Sequence, residues 1–86
     1  MTYRLLRSIP ATKASNGKLQ TVAVYEGANE LVIETWDAGD RRAVAERVEL
    51  PAPRTTEDLR IRMALRKEAA RRAREIAAGA ASAWSF

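Results

Sequence analysis

The sequence predicts an α+β fold, an antiparallel β-meander of three to four strands packed against one long C-terminal helix. Three observations carry that expectation. Residues 1–50 alternate short β-forming segments with turn signals at Asn16-Gly17, Gly27-Ala28-Asn29 and Asp37-Ala38-Gly39-Asp40. Pro51 and Pro53 then interrupt residues 51–55, a stiff linker in which neither helix nor strand continues. From Thr56 to Ala78 every residue is compatible with helix, and Gly79 supplies a break after it.

Taken in order, Thr2 to Ile9 and Lys18 to Glu26 read as two strands. Asn16-Gly17 joins them because both central positions of a type I′ turn need positive φ, and that turn sets Ile9 opposite Val24. Glu30 to Asp37 is the third strand, with Leu31, Val32, Ile33, Thr35 and Trp36 supplying β propensity. Residues 42–50 fit two elements. Val44, Val48 and Leu50 share one face at period two, whereas Ala43, Val44, Arg47 and Val48 behind an Asp40 cap also suit a short helix.

The helix over 56–78 has the sharpest signal, with Thr55 as N-cap, Asp58 at the third helical position, and Glu57 and Asp58 complementing the dipole. On a wheel, Leu59, Ile61, Met63, Leu65, Ala69, Ala70, Ala73, Ile76 and Ala77 form one broad arc expected to face the sheet. Beyond it, residues 79–86 form a tail with Trp84 and Phe86, two of the chain's five aromatics. Packing over the sheet edge or the core end is expected of them, the alternative being a hydrophobic hook for a partner.

At 86 residues the chain has room for one small domain, which buries only about 60 to 65% of its unfolded surface. The 47% apolar and 30% charged content is that of a folding chain. With no cysteine there is neither a disulfide framework nor a thiolate metal site, and a cytoplasmic location is the expectation. No apolar run approaches the roughly 18 residues of a membrane span. Residues 1–25 hold Arg4, Arg7, Lys13 and Lys18 and no acid, as organellar presequences do, but a presequence has no use for a hairpin at 15–18.

Function is bounded mainly by what is missing. Without His or Cys, catalysis would rest on Ser, Lys, Tyr or carboxylates alone, so an enzyme is not expected, and no cofactor or metal is implied. Ser15-Asn16-Gly17-Lys18 lacks the first glycine and the following helix of a phosphate loop. There is no zinc-finger spacing, RNP aromatic motif or helix-turn-helix pair. The alanine-rich arc of the helix has no aromatic anchor before Trp84, which weighs against a membrane-surface role.

Charge is the remaining lead. Residues 1–53 hold seven basic and seven acidic side chains, whereas residues 54–86 hold eight basic against Glu57, Asp58, Glu68 and Glu75, so the helical part carries the entire net +4. Arg60, Lys67, Arg71 and Arg74 form a cationic ridge beside the apolar arc, next to Glu68 and Glu75, which lie at pairing distance from Arg71 and Arg72. Residues 26–40 hold Glu26, Glu30, Glu34, Asp37 and Asp40 and no base.

Two functions compete. One is a non-enzymatic protein-binding module, an inhibitor or adaptor docking on a larger protein or nucleoprotein complex through Arg60, Lys67, Arg71 and Arg74 or through Glu30, Glu34, Asp37 and Asp40. The other is direct nucleic-acid binding by the Arg-rich helix. A modest net charge and the absence of a reader motif place the first ahead. A homodimer joining the ridge to the acidic hairpin of a second subunit is a further candidate. The plain alternative is a solvated helix face, since twelve Arg to three Lys with abundant alanine is also what a GC-rich genome produces.

Overall fold

The structure, a computed structural model, describes residues 2–11, 19–37, 39 and 41–79. Four strands, β1 (Arg4–Pro10), β2 (Leu19–Glu26), β3 (Glu30–Asp37) and β4 (Arg42–Glu49), form an antiparallel sheet in chain order, and one helix, α1 (Thr56–Ala77), covers one of its faces. The predicted α+β meander is therefore observed with four strands.

Alternation in the two central strands decides which face the helix takes. Val22, Val24, Leu31 and Ile33 point to one side and are all but completely buried there, together with Leu50. Ala69, Ala73 and Ala77 of α1 close over them. These alanines recur every four residues, and their small side chains let the helix axis approach the branched aliphatics of the sheet.

The pairing of β1 with β2 differs from the expected register. Ile9 lies opposite Val22, not Val24, and an extra residue, Leu6, is inserted between the Leu5–Tyr25 and Arg7–Val24 pairs. A shift of two residues preserves the face of every side chain, so Ile9 still packs against the core. The Asn16-Gly17 turn lies outside the described residues.

Residues 42–49 are a strand, because pairing along β3 satisfies the backbone of both segments at once, which a detached short helix would not do. A bulge corrects the expected grouping of its side chains. Ala45 is inserted between the Ile33–Glu46 and Glu34–Val44 pairs, so Val48 packs on the helix-side core while Val44 turns to the opposite face and is 46% exposed.

The capping box forms as read, with the Thr55 hydroxyl accepting from Asp58 N–H at 3.0 Å and the Asp58 carboxylate accepting from Thr55 N–H at 3.1 Å. At the other end Ala78 is the C-cap and Gly79 has a φ of 78°, the left-handed conformation that glycine adopts without strain. The docked stripe of α1 is narrower than the apolar arc. Leu59, Ile61 and Met63 are exposed, and the centre of the stripe at the N-terminal end is Arg62, buried to 7% exposure. A single cylinder touches a single-layer sheet only along a strip, so residues at the margins of the arc stay in water.

Candidate functional site

Arg62 is tolerated under the helix because three acceptors engage its guanidinium. It donates to Glu26 at 2.8 Å, to the Pro51 carbonyl at 2.8 Å and to the Ala28 carbonyl at 3.2 Å. Glu26 follows Val22 and Val24 on the same face of β2 and is itself buried. Arg66, one turn after Arg62, donates to the same carboxylate through Nη2 at 2.9 Å, and its Nε lies 2.8 Å from the second oxygen without hydrogen-bond alignment, an ionic contact. Arg4 approaches from β1 at 3.6 Å. Arg66, and after it Arg62, hold the Glu26 carboxyl below the usual carboxylate range, against the opposing effect of burial.

Beside this clasp, where α1 passes β1, runs a groove of about 450 Å³. Its floor is apolar, made by Leu6, Val24 and Ala70, and its rim is cationic, made by Arg7, Arg66, Lys67 and Arg74. The bulge at Leu6 is the local cause. It interrupts strict alternation, so the consecutive residues Leu6 and Arg7 both line the groove. Among the described residues no carboxylate lines it, and Arg7, Lys67 and Arg74 have no ion-pair partner.

The four helical cations read from the sequence are thus divided. Lys67 and Arg74 reach the groove. Arg71 is bound by Glu68 and Glu75 on its own helix, an arrangement that lowers the Glu68 pKa and raises that of Arg71. Arg60 is exposed and does not line the groove. Arg72 pairs across to Glu46 on β4 at 2.7 Å in place of an intrahelical acid.

The acidic residues of 26–40 do not make one surface. Glu26 is consumed beneath the helix. Glu30 accepts from Tyr3 and, at 2.8 Å, from Arg47, and these two contacts in that order lower its pKa. Glu34 is half-buried on the opposite face of the sheet, with one carboxylate oxygen buried and unpartnered among the described residues. Asp37 caps the β3–β4 turn by accepting from Gly39 N–H at 2.8 Å and Arg41 N–H at 3.0 Å. Asp40, like Trp84 and Phe86, lies outside the described residues.

The face of the sheet away from α1 gathers Tyr3, Tyr25, Val32, Glu34, Arg42, Val44 and Arg47 around a shallow depression. The Arg42 guanidinium sits over the Trp36 ring at 5.0 Å, and Arg47 is tied to Glu30. The tyrosines and Trp36 thus lie on the side opposite the cationic groove.

Sequence reasoning missed Glu26, Arg62, Arg66 and Arg7. A signal was present in the helix, where Arg62 and Arg66 stand four apart inside the apolar arc and so call for a buried anion. Arg7 carried a signal as well, since it stands two residues from Ile9 and shares its face by alternation, whereas Leu6 joins it in the groove only through the bulge. No group of His, Cys, Asp and Glu among the described residues could hold a metal ion, and no described helix is long and apolar enough to cross a membrane. No family model, curated protein or solved structure matches this chain.

Proposed function

We propose that the chain is a non-enzymatic binding module that docks on an acidic surface of a larger protein or nucleoprotein complex. The observation that carries this reading is the groove rimmed by Arg7, Arg66, Lys67 and Arg74, three of them without an ion-pair partner among the described residues. Unneutralised cations on a fixed helix and strand attract a complementary partner and exclude basic ones. An apolar floor between them suits protein side chains better than a row of phosphates.

Direct binding of single-stranded nucleic acid is the weaker reading. It needs cations and stacking platforms on one surface, and here Tyr25 and Trp36 stand on the far side of the sheet from the groove, among the carboxylates of Glu30 and Glu34.

Binding of polyglutamate and of mixed-sequence DNA, compared at about 150 mM salt, tests the proposal. Polyglutamate binding is expected to fall sharply in the variant Lys67→Glu/Arg74→Glu and to persist in Arg71→Gln, whose side chain is outside the groove. DNA binding that is the tighter of the two and is lost on the same substitutions would overturn the reading.

A further inference from the structure

We propose that the groove takes an extended acidic segment of a partner protein, which pairs with the free edge of β1 as a fifth strand. This rests on the reading of the groove as an acidic-protein site and specifies the form of the ligand.

Because the strand order is β1-β2-β3-β4, β1 is an edge, and among the described residues nothing pairs with its outer side. Edge strands present unpaired N–H and C=O groups and accept an added strand when nothing blocks them. An added strand lies ~4.8 Å outside β1 and sends alternate side chains toward the helix side of the sheet. There it meets the groove.

Lys67, Ala70 and Arg74 follow one another along the flank of α1 that overhangs β1. The helix rises ~1.5 Å per residue, which puts Lys67 and Arg74 about 10 Å apart with Ala70 between them. On one face of a strand, residues four apart are separated by ~13 Å, a difference that flexible Lys and Arg stems take up. The matching ligand therefore reads acidic, any, apolar, any, acidic. Its central apolar side chain rests on Leu6 and Ala70, and its two carboxylates meet the cations on either side.

Other occupants fit less well. Two β1 edges placed together would bring Arg4 and Arg7 of one copy against those of another. The β4 edge of a second copy offers no free acid on its helix side, because its Glu46 is already held by Arg72. The chain's own residues 80–86 contain no acidic side chain.

The test uses the full chain and an end-blocked, fluorescently labelled peptide, Thr-Glu-Thr-Val-Thr-Glu-Thr, alongside the same peptide N-methylated at alternate residues so that its charge is kept and its pairing edge is lost. Affinity is read by anisotropy, and amide hydrogen exchange of β1 is followed in parallel. The unmethylated peptide is expected to bind at least about tenfold more tightly than the methylated one, and Lys67→Glu to weaken it by a similar factor. Exchange should slow at amides within Arg4–Ile9.

Equal binding of both peptides without slowing in β1 overturns strand addition and leaves the acidic-surface reading standing. Failure of both peptides, with polyglutamate still bound, does the same. Protection of β1 that rises with protein concentration in the absence of peptide assigns the edge to a second copy and also overturns the proposal. If neither peptide nor polyglutamate binds, both readings fall together.

Discussion

Replacing Glu26 with Gln removes the one buried anion among the described residues and leaves Arg62 buried at 7% exposure. Breaking a buried pair by deleting one partner costs about 3–5 kcal/mol, because the remaining charge has lost its compensation. Two features lower the cost here. Arg62 keeps the carbonyls of Ala28 and Pro51, and the Arg66 side chain, 40% exposed, can return to water. The expected loss is therefore about 2–3 kcal/mol, equivalent to roughly 10–20 °C in Tm for a domain of this size.

Urea titration followed by circular dichroism measures the loss, and repeating it across pH checks its origin. In the folded state the Glu26 pKa lies below its ordinary value of 4.5, so the clasp contributes fully above that value. As pH falls through the depressed folded pKa the contribution is lost. The gap between wild type and Glu26→Gln should thus be constant near neutrality and close in acid. A loss below about 0.5 kcal/mol, or a gap that does not change with pH, would refute the assignment of Glu26 as the charge that holds the helix.

Leu65 is half-buried against the core and Ile33 completely so, hence Leu65→Ala should cost about 1–2 kcal/mol and Ile33→Ala about 3–4 by chemical denaturation. Thr55→Ala removes a hydroxyl that accepts from Asp58 N–H and should lower stability by about 1 kcal/mol in the same assay. Ala73→Leu places three extra carbons at a position with no exposure, beneath the sheet aliphatics, and a thermal melt should register a loss of about 1–3 kcal/mol or more. Arg71→Gln should leave the urea midpoint unchanged, since its two carboxylate partners and the guanidinium are all half in water.

Apart from residues 42–49, the sequence by itself determined the elements and their order. The turn at Gly27-Ala28-Asn29, the β propensity of β3, the two prolines and the Thr55 capping box are local signals that act within a few residues, and each is realised among the described residues. It also located the charge excess in the helix. Tertiary structure decided what those charges do. Whether residues 42–49 were strand or helix depended on the availability of β3 as a partner. The bulges at Leu6 and Ala45 depended on the neighbouring strand as well, and they brought Leu6 into the groove beside Arg7 and turned Val44 away from the helix-side core. A helical wheel puts Arg62 and Arg66 inside the apolar arc and Lys67 and Arg74 outside it, but it has no knowledge of which cations find an acid. That distinction was made by Glu26, which is 36 residues away from Arg62 in the chain and brought beneath it only by folding.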